Sequence, residues 1–214
     1  MYICIFSKGS RKTVKIICIS RNYREHIAEF DHQIPQNPIF FLKPESSIIT
    51  RNRPFFLPEF SQEIQHEVEL IVKICKVGKY ISEKFAHTYY DEIGLGVDFT
   101  ARDLQRNAMQ AGNPWEIAKV FDGSAIIGKF RHKTTLPNHI RFALYLNDKP
   151  VQQGYSGDML FSIDKIISYI SQFMTLKMGD IIFTGTPSCV GNVVINDRLQ
   201  GYVEDELFFD FKIK

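Results

Sequence analysis

The chain has 214 residues, of which 44% are hydrophobic and 23% are charged. This composition is typical of a folded globular domain and excludes disordered, collagen-like and coiled-coil chains. Lysine and arginine total 26 and aspartate and glutamate total 24, so the formal net charge is +2. Since no long run of one sign occurs either, we expect neither a nucleic acid nor an anionic membrane surface as a partner.

Cysteine spacing and the distribution of apolar residues predict the compartment. Cys4, Cys18, Cys75 and Cys189 are scattered without a Cys-x-x-Cys pair, whereas secreted domains that depend on disulfides are usually richer in cysteine. No apolar run approaches the ~18 residues that cross a bilayer. The first apolar residues precede the first basic ones, which is the reverse of a secretory signal. We therefore expect a reducing, cytoplasmic location.

The order of strand and helix patterns predicts the fold class. Residues 1–14 are predicted to be an N-terminal appendage, and the folded domain is expected over residues 15–214. Strands are predicted over 14–19, 38–44, 66–77, 93–99, 140–146, 181–184 and 206–213, and helices over 21–29, 82–92, 101–111 and 163–174. Because these elements do not follow the regular βαβ order of a doubly wound sheet, the predicted class is α+β.

Three carboxylates form the candidate metal site. Glu67 and Glu69 are two residues apart in a predicted strand, so their side chains share a face with Cα atoms roughly 6–7 Å apart. Such a pair is also typical of an ordinary solvated face. Asp98, at the end of a glycine-containing strand and just before a helix, favours the functional interpretation. All-oxygen ligation of this kind suits Mg²⁺ or Mn²⁺.

Cationic and amide side chains follow this site along the chain. Thr100 and Asp103 resemble a capping box at the start of the predicted helix, with Gly112 as its stop. Arg102 and Gln105 lie three residues apart on its first turns, where an arginine fork would suit a substrate carboxylate. A solvated surface pair is the alternative. Lys119 is interpreted either as a solvated lysine or as an electrophilic partner for a developing enolate.

A histidine and a glutamate on one predicted helix form a candidate base. His26 and Glu29 are three residues apart, which places a carboxylate beside the imidazole, although this spacing also occurs by chance. The segment from Gly185 to Gly191 lacks the lysine of a phosphate-binding loop, so nucleotide binding is not supported. Its Gly-Thr turn at Thr186 can still present N–H groups and a hydroxyl to an anion.

Several of these segments coincide with the motifs of one family. They are Arg21-Asn22-Tyr23 with His26 and Glu29, Phe41-Leu42-Lys43-Pro44, His66-Glu67-Val68-Glu69-Leu70, Asp98 to Gln105, Trp115 with Ala118-Lys119 and Phe121-Asp122, and Gly179 to Pro187. In order and approximate spacing they resemble the fumarylacetoacetate hydrolase family over about residues 15 to 214. The resemblance implies a mixed β-roll or β-sandwich with peripheral helices, usually as a homodimer.

The resemblance also assigns roles to residues. It implies that Glu67, Glu69 and Asp98 hold one divalent cation, commonly Mg²⁺, and that His26 and Glu29 are a water-activating dyad on a segment that can act as a lid. The matches that imply substrate binding are Arg21, Arg102, Gln105, Lys119 and Thr186, with Lys119 also assigned to catalysis. The expected partner is a small-molecule 2-oxo acid.

The resemblance leaves the reaction open. Members hydrolyse acylpyruvates or fumarylacetoacetate, decarboxylate oxaloacetate, or isomerise or hydrate dienoic diacids. A 2-oxo acid can chelate a metal that stabilises negative charge on its oxygen, and hydrolysis additionally needs a base that activates water. Because the chain has both parts and lacks the large N-terminal domain of the fumarylacetoacetate enzyme, acylpyruvate hydrolysis is favoured. The other reactions, and a degenerate metal-binding domain without activity, are the alternatives.

Overall fold

The computed structural model describes residues 14–30 and 33–214. Its strands and helices, in chain order, are β1 Ile16–Ser20, α1 Arg24–Glu29, β2 Ile39–Lys43, β3 Ile48–Thr50, β4 Ile64–His66, β5 Val68–Ile74, α2 Glu83–Ala86, β6 Tyr90–Asp98, β7 Thr100–Ala101, α3 Arg102–Gln110, β8 Ala125–His132, β9 Arg141–Leu146, β10 Lys149–Tyr155, α4 Ile163–Phe173, β11 Ile181–Phe183, β12 Gly191–Asn192, β13 Arg198–Val203 and β14 Glu206–Lys212. The predicted appendage lies outside the described residues except for Val14.

The strands form three sheets. The largest has seven strands in the order β2-β1-β11-β5-β6-β8-β3, and a second has four in the order β10-β9-β13-β14. A small sheet, β12-β4-β7, has three strands. The pairs β1–β11 and β3–β8 are parallel and the other pairs are antiparallel. The α+β prediction with a mixed sheet and few peripheral helices is confirmed.

Both faces of the seven-stranded sheet are buried. The larger apolar cluster includes Ile17 and Leu70 from this sheet and Phe209 from the four-stranded sheet, so it fills the space between the two. Ile71 belongs to a smaller cluster on the opposite face. Because side chains alternate along a strand, Glu69 of β5 points to the same face as Ile71. The predicted alternation is therefore correct, but the carboxylate face is buried instead of solvated.

Two helix predictions needed correction. The predicted helix 82–92 ends at Ala86, because Tyr90 begins β6 and pairs with Ile74 of β5. Strand pairing over the length of β6 thus overrides the local helical pattern. The predicted helix 21–29 begins only at Arg24, since Arg21 has a φ of 60° and Tyr23 is extended.

The predicted capping box is also wrong. Helix α3 begins after Ala101, and no side chain caps it. The Thr100 hydroxyl instead donates a hydrogen bond to Glu67, and Asp103 accepts one from Ser61. Gly112, with a φ of 66°, does follow the end of the helix as predicted.

Two further sequence expectations can be compared with the described residues. Cys18, Cys75 and Cys189 are free thiols in the structure, and Cys4 lies outside the described residues. No helix in residues 14–30 and 33–214 is long and apolar enough to cross a membrane.

Truncation of Phe209 tests the packing between the two larger sheets. Its ring is 1% exposed and lies against Gly201, where an added Cβ would be 2.2 Å from the ring. We expect Phe209→Ala to lower the free energy of unfolding by about 3–5 kcal/mol, because the close-packed interface cannot collapse around the cavity. Urea denaturation measures this. Phe85→Ala, at a 55% exposed position of α2, is the matched control and should change stability little.

Candidate metal centre and active site

Three carboxylates meet where β5 and β6 pair. Glu67 lies between β4 and β5, Glu69 lies on β5, and Asp98 ends β6. The backbone N–H of Asp98 donates to the Glu67 carbonyl over 2.8 Å, which brings the two strand ends together. One carboxylate oxygen from each residue lies within 4.8 Å of the others, and each residue is at most 5% exposed. The structure thus brings together the residues predicted as metal ligands.

Lys119 forms an ion-pair network with this centre. Its Nζ is 2.8 Å from Glu67 Oε2 and 2.9 Å from Asp98 Oδ2, and it donates to the Thr100 hydroxyl over 2.5 Å. Burial lowers the pKa of Lys119, but the carboxylates of Asp98 and Glu67 outweigh burial and raise that pKa above its usual value. The ammonium is therefore charged, and the solvated-lysine interpretation is wrong.

A second buried lysine, Lys43 of the Phe41-Leu42-Lys43-Pro44 motif, also contacts the centre, and the sequence predicted no role for it. It ends β2, its side chain is fully buried, and its Nζ lies 2.8 Å from Asp98 Oδ1. It also donates to the Ser124 hydroxyl over 2.8 Å and to the backbone carbonyl of Lys119. A charged side chain at the end of an apolar strand and before a proline was the sequence feature that could have revealed it.

Arg102 is held in the wall of the centre and is not a surface arginine. It is 5% exposed, and Nη2 donates to Glu67 Oε1 over 2.5 Å. Nε donates to Gln65 Oε1 over 2.7 Å, and Nη1 donates to Gln105 Oε1 over 2.5 Å. Because a guanidinium has five N–H groups, these three bonds leave donors for a substrate carboxylate.

The negative charge of the centre is unevenly compensated. Burial raises the pKa of Glu67, but Lys119 and Arg102 outweigh it and hold that pKa well below its usual value. For Glu69, burial and the charges of Asp98 and Glu67 raise the pKa well above its usual value. The hydrogen bond to Glu69 is donated by the Gly185 N–H over 2.6 Å. Glu69 is therefore the carboxylate whose charge is least balanced by the protein.

This arrangement suits a bound divalent cation. Asp98 Oδ1 is buried, and its partner in the described part of the chain is the Lys43 ammonium. Three convergent carboxylates offer the oxygen ligands that hard cations prefer. A divalent cation would also offset the charge on Glu69. The donor set therefore fits the cofactor predicted from the sequence.

The predicted base lies over the same centre. His26 Nδ1 is 3.1 Å from Glu29 Oε2, as the helical spacing predicts. A cavity of about 310 Å³ opens above the carboxylates, and the predicted site residues that line it are Arg21, His26, Glu67, Asp98, Arg102, Gln105, Lys119 and Thr186. Glu29 and Glu69 do not line the cavity. Glu29 lies behind His26, and Glu69 lies beside Glu67 and Asp98.

The Gly-Thr turn contacts the centre through its backbone. Gly185, at a φ of 100°, directs its N–H to Glu69, and the Thr186 hydroxyl donates to the Val68 carbonyl over 3.0 Å. Gln152 of β10 donates to the Thr186 oxygen over 3.0 Å. Gln152 was not predicted as a site residue, because a glutamine in the other sheet carries no local motif.

A buried carboxylate centre that opens into a cavity suits a divalent cation, as in the sites that metal-dependent enzymes use. The chain belongs to the fumarylacetoacetate hydrolase family, since the family model described as "Fumarylacetoacetate (FAA) hydrolase C-terminal" matches residues 15–208. Relatives of the chain carry the names of a hydrolase, an isomerase and tautomerases.

Among curated relatives, the "Oxaloacetate tautomerase FAHD1, mitochondrial" of Bos taurus is 37% identical over 201 residues, which are 93% of this chain and 91% of the relative. Among solved structures, a fumarylpyruvate hydrolase from Pseudomonas aeruginosa, in complex with Mn²⁺ and pyruvate, has a TM-score of 0.88 and 29% identity, covering 96% of this chain and 93% of that one. A 2-hydroxyhepta-2,4-diene-1,7-dioate isomerase from Mycobacterium marinum has a TM-score of 0.82 and 27% identity, covering 94% and 74%.

Proposed function

We propose that this chain is a divalent-metal-dependent hydrolase that cleaves a C–C bond in acylpyruvate-type 2-oxo acids. The observation that carries the proposal is that a candidate metal site and a candidate general base line the same cavity. The carboxylates of Glu67 and Asp98 line its floor beside Glu69, and the His26 imidazole lines the same cavity with Glu29 at its Nδ1. The similarity to the fumarylpyruvate hydrolase supports it.

The metal would be held by Glu67, Glu69 and Asp98. When bound, a Mg²⁺ or Mn²⁺ ion supplies Lewis-acid stabilisation of the negative charge that reaches the 2-oxo oxygen of the substrate. Lys119 and Arg102 place two further positive charges beside the Glu67 carboxylate. A preorganised cationic centre of this kind stabilises charge without reorganising during the reaction.

The His26–Glu29 dyad supplies the hydrolytic step. His26 takes a proton from water, and the hydroxide adds to the distal carbonyl carbon of the acylpyruvate. The C–C bond then breaks, its electron pair moves to the pyruvate side as an enolate, and the acyl group leaves as a carboxylic acid. The enolate takes up a proton to give pyruvate. Glu29 holds the imidazole and stabilises its charged form.

Four other residues would hold the substrate. Arg102 and Gln105 line the cavity with N–H groups that can donate to the carboxylate end, and Thr186 lines the same cavity. Arg21 has a φ of 60°, is half-buried and has no hydrogen-bond or ion-pair partner among the described residues. A left-handed backbone at a non-glycine residue is costly and is characteristic of functional sites. We assign Arg21 to the substrate as well.

Replacement of Arg102 by lysine tests whether the guanidinium binds the substrate carboxylate. Lysine keeps the charge but loses the planar donors, so we expect KM for a 2-oxo acid to rise by roughly 10- to 100-fold, the usual value of hydrogen bonds to charged groups. The affinity for Mg²⁺ should change less. Steady-state kinetics and calorimetry measure the two quantities. Arg131→Lys, at an exposed ion pair with Glu206, is the control. Unchanged kinetics in Arg102→Lys would remove Arg102 from substrate binding.

A second candidate is proton transfer on, or decarboxylation of, oxaloacetate. The tautomerase names of the curated relatives favour it. Both reactions use the same chelated 2-oxo acid, and tautomerisation needs a base but no activated water. The similarity to the 2-hydroxyhepta-2,4-diene-1,7-dioate isomerase likewise supports a dienoate as substrate. A degenerate domain that binds metal without turnover is the non-enzymatic alternative.

A substrate panel separates these candidates. The purified chain with Mg²⁺ is mixed with acetylpyruvate, fumarylpyruvate, oxaloacetate and a dienoic diacid, and absorbance and pyruvate release are followed. The proposal predicts the highest kcat/KM for an acylpyruvate, with release of one pyruvate per substrate. A preference for oxaloacetate, without hydrolysis of any acylpyruvate, would establish the second candidate instead. Turnover of none of them would favour the degenerate domain.

The oligomeric state and the compartment are proposed from the family resemblance and from the sequence. We propose a homodimer, as the family resemblance implies, and a cytoplasmic location. The curated relatives from Bos taurus and Caenorhabditis elegans carry the word mitochondrial in their names. Sedimentation equilibrium and fractionation of the source cells test the two statements.

A further inference from the structure

Helix α1, which carries the dyad, is weakly held by packing. It has six residues, and Ile27 is its one buried side chain. Isolated helices of this length are not stable in water. The cavity with the metal centre lies on its His26 side, and a second cavity of about 910 Å³ adjoins Arg24 and Glu25. The chain that enters α1 is anchored by Asn22, whose side chain is hydrogen-bonded to Phe161 and Thr184, and by the buried Tyr23. Beyond this anchor α1 has open space on two sides, so the position of its remaining turn depends on its polar contacts.

Two hydrogen bonds join the side chains of α1 to other elements of the described chain, and both end on one segment. The Ser188 hydroxyl donates to Glu25 Oε2 over 3.0 Å. The backbone N–H of Cys189 donates to Glu29 Oε1 over 2.5 Å. Since Glu29 Oε2 faces His26, the two oxygens of Glu29 have separate partners. The Cys189 N–H therefore fixes the rotation of the carboxylate that orients the imidazole.

The same segment is anchored at its base to the metal centre. Gln152 donates to Thr186 and also to the carbonyls of Pro187 and Ser188, over 3.1 and 3.3 Å. Its own oxygen accepts from the Val68 N–H over 3.0 Å. Val68 lies between the ligands Glu67 and Glu69, so a continuous set of hydrogen bonds runs from the metal centre to α1.

We propose that Ser188 and the backbone N–H of Cys189 are the positioning elements of the dyad, holding α1 so that His26 faces the metal centre. This rests on the proposed function of the dyad. Cys189 has a φ of 68°, a conformation that a β-branched residue disfavours and that glycine and asparagine accept. Its thiol has no part in the contact, because the donor is the backbone N–H.

Ser188→Ala tests the proposal, with Ser188→Thr as the conservative variant that keeps a hydroxyl. We expect Ser188→Ala to lower kcat for acylpyruvate hydrolysis by roughly 3- to 30-fold, because a loosened base is misplaced by a fraction of an ångström. KM and the affinity for Mg²⁺ and oxalate should be unchanged, and Ser188→Thr should restore kcat. Ser82→Ala, at an exposed serine that caps nothing, is the control.

A double-mutant cycle identifies the partner. Glu25→Ala should lower kcat by the same factor as Ser188→Ala, and the double variant should show no further loss, because both remove one contact. Additive losses would contradict the assigned contact. Cys189→Gly should keep wild-type kcat and Cys189→Val should lower it. Equal activity of Ser188→Ala and wild type, or failure of Ser188→Thr to restore activity, would overturn the proposal.

Hydrogen exchange provides a readout that does not depend on the reaction. Amides of residues 24–29 should exchange faster in Ser188→Ala than in wild type and at the wild-type rate in Ser188→Thr and Ser82→Ala. If no acylpyruvate is hydrolysed but exchange responds in this way, the proposed function fails while the contact stands. If exchange in this helix is the same in all variants, the positioning proposal fails whatever the activity.

Discussion

Glu69→Gln is expected to abolish acylpyruvate turnover and to weaken Mg²⁺ binding by at least about 100-fold. Losing even an outer partner of a metal ligand typically costs 10- to 100-fold in affinity, and Glu69 is proposed as a direct ligand. The glutamine keeps the side-chain volume and an oxygen that accepts the Gly185 N–H. Isothermal calorimetry with Mg²⁺ measures the affinity.

Glu69 is the right ligand to change because its loss separates metal binding from folding. Glu67 and Asp98 are paired with buried cations, so replacing either would remove one of the two ion-pair partners of the buried Lys119 and would destabilise the chain. Glu69 has no such partner, and its removal reduces repulsion among the carboxylates. Without metal, the Tm of Glu69→Gln should equal or exceed that of wild type.

The same variant should lose the rise in Tm that Mg²⁺ produces in wild type, because only binding to the folded state stabilises it. Glu206→Gln, in an exposed ion pair with Arg131, is the control and should keep both the rise in Tm and the activity. Wild-type affinity for Mg²⁺ in Glu69→Gln would contradict the assignment of the metal ligands.

His26→Ala is expected to lower acylpyruvate hydrolysis by on the order of 10²- to 10⁴-fold, the usual contribution of a positioned general base. Binding of Mg²⁺ and of oxalate should be retained, because the carboxylate centre lies on other elements. Decarboxylation of oxaloacetate should fall much less, since the metal can act there as the electron sink without an activated water. Kinetics with both substrates give the ratio of the two effects.

The exposed His139 provides the matched control, and His139→Ala should leave both reactions unchanged. Two results would show that His26 is not the base. One is intact acylpyruvate hydrolysis in His26→Ala. The other is a loss of oxalate binding as large as the loss of turnover, which would assign a structural role to α1.

Local periodicity in the sequence was sufficient to predict a helix or strand where that element buries one face. The apolar stripe over 163–174 predicted α4, which runs from Ile163 to Phe173 with Ile166, Ile167 and Ile170 buried. The alternation in β5 predicted which residues share a face, and so placed Glu67 and Glu69 together. In these elements the local pattern and the tertiary packing favour the same structure.

Prediction failed where distant partners decide the structure. Tyr90 begins a strand because β6 is paired on both sides, by β5 and by β8. Thr100 does not cap α3 because its hydroxyl is used by Glu67. Neither competing contact is visible in the local sequence, where the helical and capping patterns are genuine.

The carboxylates of the candidate site were predictable from the sequence, and so were Arg102 and Lys119 as candidates, but the burial of the cations and the role of Lys43 were not. Lys43 contacts the Lys119 carbonyl across 76 residues of sequence, and Ser188 contacts Glu25 across 163. No spacing rule links residues so far apart, and a single lysine or arginine is usually solvated. The burial of Lys43, Lys119 and Arg102 became apparent only when the sheets brought them to the carboxylates.

The central claim is that Glu67, Glu69 and Asp98 bind one divalent cation on which a 2-oxo acid is held. A crystal structure with Mn²⁺ and oxalate, with the metal located by its anomalous scattering, tests this most directly. We predict one Mn²⁺ peak roughly 2.0–2.2 Å from an oxygen of each carboxylate, with oxalate on the same ion and Lys119 moved from between Glu67 and Asp98. A structure without Mn²⁺ at these carboxylates, in which the Lys119 ammonium still bridges Glu67 and Asp98, would contradict it.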